Sequence, residues 1–183
     1  SELVERSARS DQIEWEREFG VAKDVSALGV ERDVFRYLPL PVAVRLNGGG
    51  SVDEFARVVM AGVRAGGDGL GRLLSVSVAE PLSAALERAI RTSGASVVVE
   101  ADEQWLARTA AGGLNESRVR LVGGGHKELA DALGGSPDVA IYADAVTESG
   151  RVELLPFLRE QAIAITAHRF GNPDPWSEAA LPL

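Results

Sequence analysis

An α/β fold built on a parallel sheet is predicted by three observations. Short runs rich in valine and leucine recur through the middle of the chain, at Val42–Leu46, 73–78, 96–100, Arg118–Val122 and 139–143. Each of the first four is followed by a polar or glycine-rich loop and then by a stretch with helical periodicity. The helical stretches are about ten residues long, which suits crossovers between parallel neighbours and a sheet covered on both faces.

The elements follow in order. The stretch through Phe19 is charged, with Ile13, Trp15 and Phe19 forming one apolar side, and Gly20 is placed to end it. A helix docked on the domain body is expected there, with Trp15 and Phe19 at i, i+4. Residues 31–38 alternate Val34, Arg36 and Leu38 with Asp33, Phe35 and Tyr37, which predicts a strand ended by Pro39 and Pro41. After Val42–Leu46 comes the loop 47–50. Ser51 then opens a helix, since Ser51-Val-Asp-Glu54 has the S-x-x-E form of a capping box and Phe55, Val58, Val59 and Val63 supply one apolar face. Helices are expected over 82–92, 102–111 and 127–133 between the later strands. Beyond Thr147 the rhythm changes to a short helix over 152–159, interrupted or started by Pro156, and then a strand over 161–168 that alternates around Ile163 and Ile165.

This is a Rossmann-like three-layer layout with a parallel sheet of about five strands. The organisation is an N-terminal helix and linker (1–30), the α/β body with its leading strand (31–145), and a C-terminal helix, strand and tail (146–183). The C-terminal strand is expected to pair with the leading strand around Phe35, away from the main sheet. Such a flap, with Phe35, Tyr37, Ile163, Ile165 and His168 as its interaction residues, is a sticky edge that seeks a partner.

Composition narrows the function. A length of 183 residues fits one domain with a substantial core. The net charge of -8 argues against nucleic acid, and all but Lys23 and Lys127 of the 19 basic residues are scattered arginines. No apolar run approaches a membrane span. The absence of cysteine excludes a thiolate nucleophile and a cysteine zinc site, and suits a reducing cytoplasm. The start Ser1-Glu2-Leu3 reads as an interior start in a longer parent.

Two glycine loops are the candidate binding elements. Gly48, Gly49 and Gly50 lead into a capped helix, where backbone N–H groups can face a phosphate. The spacing departs from G-x-G-x-x-G, whose third glycine would fall on Asp53, and a tight strand-to-helix turn explains the loop as well. Gly123, Gly124 and Gly125 precede His126 and Lys127, a cation at a helix start, which makes this loop the better anion candidate of the two, although a flexible turn explains it at least as well. His126 and His168, the only histidines, lack ligand spacing, so no metal site is expected. Ser75 and Ser77 lie inside a strand rather than a nucleophile elbow, and no catalytic residue is assigned.

Several stretches resemble the aldehyde dehydrogenase superfamily: Glu-Arg-Asp-Val-Phe-Arg-Tyr-Leu-Pro at Glu31–Pro39, Glu80-Pro-Leu-Ser-Ala-Ala-Leu86, and Arg118-Val-Arg-Leu-Val-Gly-Gly-Gly125. The segment 150–171 together with Trp15-Glu-Arg-Glu-Phe-Gly20 resembles the C-terminus of bifunctional proline utilization A proteins. In that family this domain is a degenerate, non-catalytic copy of the aldehyde dehydrogenase nucleotide domain. The resemblance implies a parent that joins proline dehydrogenase to L-glutamate γ-semialdehyde dehydrogenase and uses FAD and NAD, with no cofactor in this chain. It implies a lid and oligomerisation role in the cytoplasm, with the parent's catalytic domains and a second copy, through the β-flap, as partners. Where active members place a ribose-binding lysine, this chain has Glu80, which disfavours a 2′-phosphate and still leaves an acceptor for a ribose hydroxyl. The alternative is an NAD-binding or regulatory nucleotide module that uses the two glycine loops.

Overall fold

The computed structural model describes residues 2–28, 30–67, 70–166, 168–169, 172–173 and 175–180. Its body is a five-stranded parallel sheet in the order β5-β4-β3-β6-β7, where β3 is Val42–Leu46, β4 Leu74–Val78, β5 Ser96–Val99, β6 Arg118–Val122 and β7 Ala140–Tyr142. The central strand β3 is buried along its whole length, as a parallel strand covered on both faces must be. Its Val42, Val44 and Leu46 join Leu74, Val76 and Val78 of β4 in the larger core. That core is closed by helix α2 (Val52–Ala65) through Phe55, Val58 and Val59, and by α3 (Ala84–Thr92) through Ile90. The opposite face packs Ala43, Val119 and Leu121 against Trp105 of α4 (Asp102–Ala110) and Leu129 of α5 (His126–Ala132).

Local signals act as expected at the helix starts. The Ser51 hydroxyl accepts the Glu54 N–H at 3.3 Å, and Ser83 does the same for Leu86 at 3.3 Å. At the N-terminus the α-helix α1 (Glu2–Glu14) widens into a π-turn over Trp15–Phe19, which Gly20 closes by donating to the Trp15 carbonyl at 2.8 Å. Phe19 is buried in the larger core and Trp15 packs against it, so this segment docks on the body.

A second, antiparallel sheet stands apart in the order β1-β2-β8, with β1 at Lys23–Asp24, β2 at Glu31–Pro39 and β8 at Leu158–Thr166. The expected pairing of the leading and C-terminal strands is present over nine residue pairs, from Glu31 opposite Thr166 to Pro39 opposite Leu158. The two-residue strand β1 was not anticipated.

The C-terminal region corrects two expectations. The helix foreseen over 152–159 is a single turn, α6 (Gly150–Glu153), followed by a 3₁₀ turn over Leu155–Phe157, and β8 starts at Leu158. Pro156 is the reason, because it lacks the N–H a continuing helix needs. Arg118 holds this turn by donating Nη1 to the carbonyls of Leu155, Pro156 and Leu158 at 3.2, 3.0 and 2.7 Å. The predicted strand ends at Thr166; Ala167 lies outside the described residues, and His168 belongs to a two-residue strand (His168–Arg169) paired with Asn172–Pro173. The last described element is a short helix, Trp176–Ala180.

Candidate functional site

The two glycine loops, distant in sequence, meet. Strands β3 and β6 are neighbours, with Leu46 opposite Val122, so the loops that leave their C-terminal ends face one another. This is where the strand order reverses, the place at which open α/β sheets bind ligands. The loops are closed on each other: Asn47 donates its side-chain N–H to the Gly124 carbonyl at 2.5 Å and its backbone N–H to the Val122 carbonyl at 2.9 Å. Gly123 has φ +91°, and a Cβ there would lie 2.8 Å from the Gly50 Cα, so only glycine fits.

Beside the loops is a crevice of about 220 Å³, bounded by Gly48, Gly123, Trp105, Leu106, Asp102 and Glu128. Its charged walls are carboxylates. Lys127, the cation that favoured the second loop, instead pairs along α5 with Asp131 at 2.6 Å, and its side chain is 82% exposed. The Asp131 hydrogen bond holds its ammonium above the ordinary lysine range. His126 is exposed at the start of α5.

The residue that organises the crevice is Arg45, in the middle of the sheet on β3, to which the sequence reading gave no role. Its side chain is 0% exposed. Nε donates to the Asn47 side-chain oxygen at 3.0 Å, and Nη1 to Ser77 Oγ at 2.6 Å and to the Glu100 carbonyl at 3.1 Å. Nη2 meets Asp102 Oδ1 at 2.5 Å, and the guanidinium carbon lies 5.2 Å from the Trp105 ring centroid. The other Asp102 oxygen accepts the Gly48 N–H at 3.0 Å. The Ser77 hydroxyl donates to the Glu100 carboxylate at 2.8 Å, and Arg108 grips the same carboxylate at 2.7 and 3.1 Å. The Arg108 hydrogen bond, against the opposing pull of burial, holds the Glu100 carboxyl below its ordinary range. An arginine in a central strand with an aspartate at the start of a later helix was the available signal, but nothing local says that they meet.

This arrangement is internally satisfied. Ser77 is buried among charged partners and Ser75 hydrogen-bonds Glu116, so neither serine is paired with a histidine. Among the described residues no group of three or more acidic or histidine side chains is arranged to hold a metal ion. Glu80 is exposed on the turn after β4.

The flap is the second candidate. Its register puts Phe35 and Tyr37 on one face, opposite Ala162 and Glu160, and puts Ile163 and Ile165 on the other, opposite Val34 and Arg32. Tyr37 stacks edge-on against Phe19 at 4.9 Å and against Phe35 at 5.2 Å, which ties that face to the body. The five sequence-predicted residues therefore do not form one patch. They divide between the two faces and, for His168, a separate strand. β8 is the terminal strand of its sheet, with Ala162, Ala164 and Thr166 exposed.

No family model matches the chain, and no curated protein matches it. Among solved structures, proline utilization A (PutA) from Corynebacterium freiburgense is similar at 27% identity and a TM-score of 0.60, over 94% of this chain. The chain resembles a part of PutA. It spans 14% of the length of that protein, so what it corresponds to is one domain-sized portion. The likeness covers nearly the whole chain, in agreement with the resemblance to proline utilization A proteins read from the sequence. No helix among the described residues is long and apolar enough to cross a membrane.

Proposed function

We propose that this chain is a non-catalytic covering and assembly module of a PutA-like protein that oxidises proline to glutamate through pyrroline-5-carboxylate. One observation carries the reading: a nine-residue antiparallel ribbon, β2 with β8, stands outside the main sheet, and no other described strand pairs with the outer edge of β8. From Gln161 to Thr166 that strand has no charge and no proline, the devices that ordinarily protect an edge from pairing. Such an edge adds a strand from another chain or domain at little cost, through main-chain hydrogen bonds. Arg118 anchors the base of the ribbon to β6, so docking there would be transmitted to the body.

The chemistry of the crevice supports the same reading. Its buried cation is already neutralised by Asp102, its walls carry Asp102 and Glu128, and Glu80 stands on the turn where a nucleotide-binding relative would want a cation. The parent's cofactors, NAD and FAD, then belong to other domains. The rival reading, an NAD-binding or regulatory module, draws on the meeting of the two glycine loops at the switch point. Titration calorimetry with NAD+ and NADH separates the two: micromolar binding favours the rival.

The covering and assembly role is tested by sedimentation of the chain alone and with a separately expressed dehydrogenase core. Association is expected, and it should be lost in Ala162→Lys/Ala164→Lys, which charges the edge strand without touching the buried core. A strict monomer that also ignores the core would sink the proposal.

A further inference from the structure

We infer that Asp102 is an intrachain occupant of an oxyanion site, a carboxylate that stands where a phosphate group would otherwise be held. The donors around it are those an oxyanion requires. One carboxylate oxygen takes Nη2 of Arg45 at 2.5 Å, and the other takes the backbone N–H of Gly48 at 3.0 Å, on the glycine loop after the first strand of the parallel sheet. A guanidinium and a glycine-loop amide converging on one anion is a phosphate-binding donor set.

The site is built rather than incidental. Arg45 is 0% exposed, and its remaining donors are fixed on Asn47, Ser77 and the Glu100 carbonyl while Trp105 lies against its face. Nη2 is thereby aimed at one point. The occupant is different: the Asp102 side chain is 44% exposed and borders the 220 Å³ crevice, so its removal opens the site to solvent without unpacking the core. A buried guanidinium that loses its counterion demands another. The inference goes beyond the assembly role and stands or falls separately, because it concerns the crevice and leaves the flap edge untouched.

The test is calorimetric titration of Asp102→Ala in the full chain with inorganic phosphate, with chloride at matched ionic strength as the control. Phosphate is expected to bind the variant about tenfold or more tightly than it binds the wild type, the equivalent of one charge-assisted hydrogen bond regained. Acetate, which restores only the carboxylate, should raise the thermal midpoint of Asp102→Ala and leave that of the wild type unmoved. The double variant Arg45→Met/Asp102→Ala should lose the gain, which locates the site. A parallel titration with NAD+ distinguishes a free oxyanion from a dinucleotide phosphate as the acceptable ligand. If Asp102→Ala does not fold, the helix-start variant Asp102→Ser, whose shorter side chain also vacates the site, takes its place, and phosphate should then raise its melting temperature more than chloride does. A folded Asp102→Ala that binds phosphate no better than the wild type overturns the inference, as does a folded Asp102→Ser that phosphate fails to stabilise.

Discussion

Replacing Asp11 with leucine should damage the fold far more than its place on a charged N-terminal helix suggests. The Asp11 side chain is 3% exposed and receives Nη1 and Nη2 of Arg57 at 2.7 and 2.8 Å, while Arg57 Nε donates to the Thr147 carbonyl at 3.0 Å. Arg57 is 0% exposed and sits on α2 between the core residues Phe55 and Val58. Without Asp11 the guanidinium keeps one bond of three and stays buried without the carboxylate that received its other two. Removing one partner of a buried pair costs about 3–5 kcal/mol. For a chain of this length that lowers the melting temperature by roughly 10 °C. The pair as a whole contributes much less, because burial pushes the Asp11 carboxyl above its ordinary range, against the pull of Arg57.

This asymmetry makes a double-mutant cycle decisive. Arg57→Met strands a carboxyl that can escape its burial by taking up a proton, so its penalty should shrink as the pH falls. Asp11→Leu strands an arginine that cannot give up its proton, so its penalty should persist. The double variant Asp11→Leu/Arg57→Met should recover to within about 1–2 kcal/mol of the wild type. Urea unfolding followed by circular dichroism reads all four proteins. A loss under about 1 kcal/mol for Asp11→Leu, or a double variant as damaged as the sum of the singles, refutes the reasoning.

Two further outcomes concern the Glu100 carboxylate and the glycine turns. Because Arg108 holds the Glu100 carboxyl below its ordinary range, Glu100 adds stability above the unfolded carboxylate pKa of about 4.3 and loses it as the pH drops through the depressed value. Glu100→Gln should therefore be less stable than the wild type near neutrality and converge with it in acid; a constant gap across that range contradicts the assignment. Gly112→Ala and Gly123→Ala both place alanine at positive φ, but a Cβ at 112 meets nothing within 4 Å, whereas at 123 it lies 2.8 Å from the Gly50 backbone. The first should cost about 1 kcal/mol, the left-handed penalty alone, and the second clearly more in the same thermal melts.

The α/β body was legible because its cause is local. Valine-rich runs bounded by glycine and capped helices form strands and crossovers whatever surrounds them, and the body's strands and helices lie within a few residues of expectation. The C-terminal helix was misplaced because Val152 to Leu158 carries helical apolar spacing, while Pro156 and the three carbonyls gripped by Arg118 favour a 3₁₀ turn and an early strand. The flap's existence could be read from alternation, but its faces could not. Antiparallel register decides which side chains share a side, and it set Phe35 apart from Ile163.

The candidate site shows the same division more sharply. The sequence by itself determined the two glycine loops, the acidic balance, the absence of a thiol and the glutamate at position 80. Only the tertiary structure decided that the loops close on each other and that Arg45 and Asp102, 57 positions apart, neutralise one another beside them. The reason is that burial converts a charge from a surface property into an obligation to find a partner. Which partner meets that obligation depends on strand order, and strand order is written in no single stretch of the chain.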